Sequence, residues 1–261
     1  MFERITYSER ANWYLQETYS AEQNEFIRKL MISKNIKYPT IIPCNSGKNL
    51  KTLSEVSNCV YAFDANTQMI ENTKAVIKSG KLYNCLVEYG DMLEFKLPRN
   101  SDAVLILNEA MQMFKSDSRQ FGEILHNILQ QLSGILVLEL FDFKTNSKVE
   151  QLRYFSTGTV NTIVYDFQFS NGETEVKRFH KTTHTKYGII VRYYYLINDS
   201  RAKEKRWLTS EVELFHYNIE RIKALVEHYG GIIEQIYTSY SGSADKSLGK
   251  RILVIRSTGR T

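Results

Sequence analysis

Residues 38–64 read YPTIIPCNSGKNLKTLSEVSNCVYAFD, and their pattern decides the fold. An apolar run, Tyr38–Pro43, leads into Asn45-Ser46-Gly47, and a second, Cys59–Phe63, stops at Asp64. Both are too short for helices and are bounded by turn-forming residues, so they read as buried strands. Leu50 and Leu53 lie between them at helical spacing, and Met69, Ile70, Thr73, Val76 and Ile77 follow at the same spacing. The order is strand, helix, strand, helix.

The alternation continues outward. Tyr83–Tyr89 ends at Gly90-Asp91 and Ala103–Leu107 ends at Asn108. Phe121, Ile124, Leu125, Ile128, Leu129 and Leu132 make one helical stripe, stopped by Ser133-Gly134, and Ile135–Phe141 is a fifth strand. Its near-continuous apolar character is expected where helices cover both faces. Five β/α units in succession imply a parallel, doubly wound sheet. Before it, Ser20-Ala21-Glu22-Gln23 is a capping box opening a helix with Phe26, Ile27, Leu30 and Met31 on one side. After Asp142 the pattern turns β-rich: Val160–Phe169, Val176–Thr183, Gly188–Ile197 and a strand around Glu211–Tyr217, separated by turns at Ser170-Asn171-Gly172 and Lys186-Tyr187-Gly188. This is an antiparallel insertion after strand five. Ile219, Ile222, Leu225, Val226 and Tyr229 form a last helix ended by Gly230-Gly231, and Ile232–Tyr237 and Arg251–Arg256 close the chain. The expected fold class is α/β, a mostly parallel seven-stranded sheet with that insertion.

Composition excludes several alternatives. Of 261 residues, 43% are hydrophobic and only 13 are Gly and 3 Pro, which rules out a disordered or collagenous chain. No apolar run reaches the roughly 18 residues of a membrane helix; the longest, around Gly134–Phe141, is broken by Glu139. The opening MFERITYSER carries charges where a signal peptide needs an apolar stretch, so a cytoplasmic location and no membrane partner are expected. Cys44, Cys59 and Cys85 have no CxxC spacing; they read as buried thiols, with no disulfide framework and no metal site. The net charge of +5 is scattered rather than blocked, so a nucleic-acid partner is not expected. Seventeen tyrosines exceed what a core of this size requires, and part of the excess is expected to line a pocket.

In an open parallel sheet, ligands bind beyond the carboxyl ends of the strands. Strands one to four end at Asn45–Asn49, Asp64, Asp91 and Asn108, four positions that converge on one edge. An acid after strand two can accept both hydroxyls of a ribose, and one after strand three can take the amino group of adenine, with Ala65 and Met92 against the ring. The first loop, at a helix N-terminus, offers backbone N–H groups. Together these would hold an adenosine. Neither the Gly-x-Gly-x-x-Gly of dinucleotide sites nor a nucleoside-triphosphate loop is present.

From about Tyr38 to Arg256 the chain resembles the class I S-adenosylmethionine-dependent methyltransferases, with a Rossmann-like sheet. The likeness lies in Ile41-Ile42-Pro43-Cys44-Asn45-Ser46-Gly47-Lys48-Asn49, Val60-Tyr61-Ala62-Phe63-Asp64-Ala65-Asn66, Glu88-Tyr89-Gly90-Asp91-Met92, Leu105-Ile106-Leu107-Asn108-Glu109 and the helix–Ser133-Gly134–strand passage. The first motif departs from the family: its three glycine positions read Pro43, Asn45 and Gly47, and its acid position is Ile41. The resemblance implies S-adenosylmethionine as cofactor, with Asp64 on the ribose, Asp91 and Met92 on the adenine, Asn108 at the methionine end through its backbone, and Pro43, Asn45, Gly47, Ala65 and Tyr14 completing the site.

The insertion is similar to that of methyltransferases acting on small molecules, including sugar and amino-acid amines, in which it and an N-terminal segment cover the substrate. Here that segment carries Tyr7, Trp13, Tyr14 and Tyr19. The domains expected are an N-terminal helical lid (1–34), a cofactor-binding domain (35–145 and 218–261) and the insertion as substrate lid (146–217). Asp166, Tyr14 and Glu109 are the catalytic candidates; Tyr19, Met113, Asp142, Tyr165 and His180 are the substrate-binding ones. Strand alternation puts Tyr165, Phe167 and Phe169 on one face and Asp166, with Val164 and Gln168, on the other. Methyl transfer is an in-line displacement in which orientation and desolvation do most of the work; an amine needs little acid–base help and an oxygen needs a base. The expected activity is methylation of a small-molecule or short-peptide natural product at an amine nitrogen, within which peptide α-amine methyltransferases of the plantazolicin type are one subtype. Three alternatives are an O-methyltransferase with a base among His126, His180, His184, His216 and His228; an RNA methyltransferase using Lys246, Lys250, Arg251, Arg256 and Arg260; and a non-catalytic scaffold.

Overall fold

The computed structural model describes residues 3–6, 10, 13–15, 20–141, 163–170, 172–241 and 250–258. In chain order the elements are β1 (Glu3–Arg4), α1 (Ala21–Ser33), β2 (Pro39–Ile41), α2 (Leu50–Val56), β3 (Val60–Asp64), α3 (Thr67–Gly80), β4 (Cys85–Tyr89), β5 (Ala103–Ile106), a 3-10 turn (Ala110–Met113), α4 (Arg119–Gln131) and β6 (Ile135–Phe141). Then come β7 (Val164–Ser170), β8 (Thr174–His184), β9 (Gly188–Asp199), β10 (Glu204–Phe215), α5 (Ile219–His228), β11 (Gly231–Tyr237) and β12 (Lys250–Ser257). Seven strands form one sheet in the order β11-β12-β6-β5-β2-β3-β4. β2 to β6 pair in parallel; β12 joins β6 antiparallel, and β11 joins β12 antiparallel.

Helices cover both faces. On one, Phe121, Ile124 and Ile128 of α4 and Ile222 and Val226 of α5 pack on Val104, Leu136 and Leu138. On the other, Phe26, Ile27 and Leu30 of α1 and Leu50 and Leu53 of α2 pack on Ile41, Leu105 and Val137. Neighbouring residues of β5 and β6 are therefore all buried, the reason those strands read as unbroken apolar runs. Cys44 and Cys85 are buried, whereas Cys59 is half-buried at the entry to β3, a correction to the expectation for that thiol.

Ser133-Gly134 does not end α4 as a cap; the helix already stops at Gln131 with Leu132 as its C-cap. Gly134 is needed for close approach, because a Cβ there would lie 1.9 Å from the Asp102 carbonyl oxygen. Gly134→Ala is expected to push β5 from β6 and cost about 2 kcal/mol, read as a lower urea midpoint with unchanged slope.

The second sheet has the order β1-β10-β9-β8-β7. Its core joins Ile189, Val191, Tyr195, Leu208 and Leu214 to Ile5 and to Phe141 at the end of β6. The buried Gln112 stitches the two sheets: its Nε2 donates to the carbonyls of Phe141 (2.9 Å) and Phe215 (3.0 Å), and its Oε1 accepts from the Phe141 N–H (2.6 Å). The N-terminal segment divides in its contacts. β1 pairs in parallel with β10 of the insertion, and α1 packs into the core of the large sheet.

A β-bulge at Tyr165/Phe167 interrupts β7, so the alternation expected there does not hold. Asp166 and Phe167 both line the cleft between the sheets, while Tyr165 is half exposed with its hydroxyl bonded to Gln168. The extra residue of a bulge re-aims side chains in this way.

Candidate active site

The carboxyl ends of β2, β3, β4 and β5 open onto one cleft of about 1330 Å³, whose far wall is the second sheet with Arg10 and Tyr14. Pro43, Asn45, Asp64, Ala65, Asp91, Met92, Asn108, Glu109 and Met113 all line it, as do Tyr14 and Asp166. Asp64 and Asp91 thus face a shared space.

Asp64 ends β3 and is buried. Its Oδ2 accepts from the Asn45 N–H (2.8 Å) and its Oδ1 from the Asn66 N–H (2.9 Å), so strand two's acid is locked to the first loop and to the N-cap of α3. Burial raises its pKa to about 6, opposed by those two backbone donors. Asp91 accepts from the Leu93 N–H (2.9 Å) at the turn after β4.

The first loop lacks two of the glycines of the family that the sequence resembles yet adopts left-handed backbone where glycine is favoured. Asn45 has φ 52° and Gly47 φ 78°. Asparagine is among the few residues that tolerate this region, which accounts for its place in the pattern. Gly47 itself lines a smaller pocket beside the cleft, with Lys48 and Lys51.

At the other end of the cleft lies a buried polar cluster only partly legible in sequence. Glu139, the acid interrupting the apolar β6, is 1% exposed. Its Oε2 accepts from Gln23 Nε2 (2.8 Å) and the Asn108 N–H (3.0 Å), and its Oε1 from Tyr240 and Lys250. Burial opposes ionisation of Glu139, but the Lys250 charge and these hydrogen bonds outweigh it and hold the carboxyl down at about 2. Tyr240 is pushed well above its usual range by burial and by Glu139 and Glu109. Asn108 Oδ1 accepts from Lys48 Nζ (2.6 Å) and Gln23 Nε2 (3.1 Å). Gln23, placed as the reciprocal member of a capping box, instead turns its side chain into this cluster; only the Ser20 half of the box forms, accepting from the Gln23 N–H at 3.2 Å. The one signal for Glu139 was an acid inside a run apolar on both faces.

On the opposite wall, Asp166 is engaged through both oxygens. Arg178 donates to it bidentately (2.9 and 2.8 Å), and His180 Nδ1 lies 3.0 Å from Oδ2. Burial works to raise its pKa, but His180 and Arg178 prevail and hold it below the ordinary carboxylate range. His180 is fully buried behind Asp166 and does not reach the cleft surface, and Tyr165 faces outward; neither expected substrate contact lines the cleft. The Arg10 guanidinium lies over the rings of Tyr193 (4.2 Å) and Tyr14 (5.2 Å). Trp13 packs on Tyr195 at 5.4 Å between centroids. His126 and His228 each pack at a steep angle against the Tyr229 ring, 4.9 Å between centroids, and neither lines the cleft. Tyr7, Tyr19 and Asp142 lie outside the described residues, as do Lys246 and Arg260 of the basic tail. Of that tail, Lys250 turns inward to Glu139 and Arg256 pairs with Glu234 (2.6 Å). Among the described residues no helix is long and apolar enough to cross a membrane.

Comparisons with known proteins agree with this architecture. No family model matches the chain, and no curated protein does. Solved structures do. An S-adenosylmethionine-dependent methyltransferase from Clostridium acetobutylicum is similar over 96% of this chain and 97% of its own, at TM-score 0.73 and 14% identity. The sugar N-methyltransferase KedS8 from Streptoalloteichus covers 90% and 87%, at 0.69 and 19% identity. CalS10, an amino pentose methyltransferase from Micromonospora echinaspora solved with S-adenosylmethionine bound, covers 97% and 99%, at 0.68 and 15% identity. The chain has the fold of these proteins, the Rossmann-like methyltransferase sheet with an antiparallel insertion.

Proposed function

We propose that this chain is an enzyme that binds S-adenosylmethionine and methylates an amine nitrogen of a small molecule or short peptide of the natural-product kind. The observation that carries the reading is the convergence of Asp64, Asp91 and Asn108, from three strand ends, on one cleft walled by the second sheet. The residues present fit the cofactor. Asp64 has each oxygen held by one backbone N–H, which fixes both for the two hydroxyls of a ribose. Asp91 and Met92 line the same cleft and would take the adenine, and the structures similar to this chain include one with S-adenosylmethionine bound and two described as methyltransferases of sugars.

When bound, S-adenosylmethionine supplies a sulfonium-activated methyl group. The protein orients the acceptor and excludes water. Tyr14, Tyr193 and Phe167 line the far wall, with the Arg10 or Arg178 guanidinium over each ring, and would close that side of the cleft to water. Glu109 and Met113, after β5, flank the space left for the acceptor. Asp166 serves by holding Arg178 in that wall. Nitrogen is favoured as the acceptor because, among the described residues, no histidine lines the cleft, and an uncharged amine needs no strong base.

Incubation with labelled S-adenosylmethionine and a panel of amino sugars, amino-acid amines and peptides with free α-amines is expected to yield N-methylated product by mass spectrometry. Label only on oxygen or only in RNA, or no cofactor binding by calorimetry, would overturn the reading.

Asp64 also sets a pH dependence. Its pKa of about 6 lies above the ordinary 3.8, so between these values the folded chain without ligand holds a proton there that the unfolded chain has lost, and this group's stabilisation fades as pH rises through 6. Cofactor affinity should run the opposite way, because only the carboxylate accepts both hydroxyls. The dissociation constant is expected to be flat above pH 6 and to rise by up to tenfold per unit below it, measured by calorimetry; a constant value from pH 7 to 5 would contradict the role.

A further inference from the structure

In place of the acid and two of the glycines of the family it resembles, the first loop brings a buried lysine, Lys48, to the wall of the cleft. We infer that Lys48 anchors the carboxylate of the methionine moiety and Glu109 its ammonium, a zwitterion clamp made from the loop and the turn after β5. The inference rests on the S-adenosylmethionine reading and adds to it the residues that select for the amino-acid end.

Lys48 follows the left-handed Gly47 and is buried, an unusual position for a lysine. Its Nζ lies 2.6 Å from Asn108 Oδ1, which ties it to the strand end where the methionine part is expected. Glu109 is also buried and holds left-handed backbone (φ 57°) as the N-cap of the 3-10 turn, and both residues line the cleft. The cluster around them is balanced in charge: Lys48 and Lys250 against Glu109 and Glu139. Lys250 lies on Glu139 and 4.0 Å from Glu109 Oε1. An amino-acid end carrying one net charge would unbalance this low-dielectric cluster, whereas an α-ammonium and α-carboxylate together add none. The thirteen-residue α1 starts at the same end, with Ser20, Ala21 and Gln23 lining the cleft; its first turn favours the carboxylate, although the exposed Glu22 there does not. Burial lowers the Lys48 pKa to about 8 against the pull of Glu139 and Glu109, so a bound carboxylate would stabilise its charged form.

The test compares two ligands that share the thioadenosine part and differ in the amino-acid part. S-adenosylhomocysteine carries the ammonium and carboxylate; 5′-methylthioadenosine carries neither. Lys48→Met is expected to weaken S-adenosylhomocysteine by about 30-fold in calorimetry, the size of a lost charge-assisted contact, and to leave 5′-methylthioadenosine within about twofold. Glu109→Gln should show the same split, and Lys48→Arg should recover most of the loss. Equal weakening of both ligands, or of neither, in a variant that melts cooperatively would overturn the inference. If Lys48→Met does not fold, the split is read from Lys48→Gln and Glu109→Gln, and parallel losses there overturn it equally. Absence of S-adenosylhomocysteine binding by the unaltered chain would sink the proposed function itself, a separable result.

Discussion

Asp64→Asn is expected to weaken S-adenosylmethionine about 100-fold or more while the fold survives. The carboxylate sits at the end of β3, buried, with one backbone N–H on each oxygen, and it has nowhere else to point. Two charge-assisted hydrogen bonds to ribose hydroxyls at about 1.5–3 kcal/mol each would be weakened or lost. The amide can accept from only one of the Asn45 and Asn66 N–H groups and sets its NH₂ against the other. The first loop therefore also loses part of its support, and a modest fall in melting temperature should accompany the loss of affinity. Calorimetry separates the two: weak binding with a cooperative melt supports the ribose assignment, and unchanged affinity would show that the nucleoside lies elsewhere.

The second large effect is on stability. Glu139→Ala is expected to cost about 3 kcal/mol, the penalty for taking the nearest counter-ion from the largely covered Lys250 ammonium. Lys250, Tyr240, Gln23 and the Asn108 N–H all converge on that carboxylate, so its removal takes a shared acceptor from four donors at once. A fall in melting temperature of roughly 10 °C would follow. Glu139→Leu with Lys250→Met should recover the part due to the ammonium, while the Asn108 N–H still lacks the carboxylate acceptor. The sign with pH is opposite to that of Asp64. Glu139 is held at about 2, below the ordinary 4.5, so its stabilisation is present above 4.5 and lost as pH falls through 2, and the acid limb of the stability curve should flatten in the alanine variant. A Glu139→Ala protein as stable as its parent would remove the cluster from the account.

What could be read from residues alone follows from what repeats. Strands buried on both faces and helices with one apolar stripe carry periodicity, and from these came the doubly wound sheet, its insertion and the strand-end positions Asp64, Asp91 and Asn108. Features that depend on a single contact left no such trace. β1 is two residues long and pairs with β10 across the chain, and nothing in Glu3-Arg4 marks a strand. The bulge in β7 brings Phe167 to the cleft beside Asp166 and away from the side of Tyr165, because one extra residue shifts a period of two. His180, in the strand paired with β7, turns into the core behind Asp166, a matter of register that composition does not carry. Gln23 looked like a cap because its spacing from Ser20 suits one; the deeper acceptors on Glu139 and Asn108 won. Glu139 itself was visible as a break in an apolar run, and a charge in such a place implies partners that only the fold can supply. Lys48 gave no signal beyond its position after Gly47.

On the proposed reading Asp64 and Asp91 grip one nucleoside at the carboxyl edge of the parallel sheet. A crystal structure of the chain with S-adenosylhomocysteine tests it most directly. Both ribose hydroxyls are expected on the Asp64 carboxylate and the adenine amino group beside Asp91, with its ring against Met92. Density for the ligand anywhere else, or ribose hydroxyls turned away from Asp64, would contradict it.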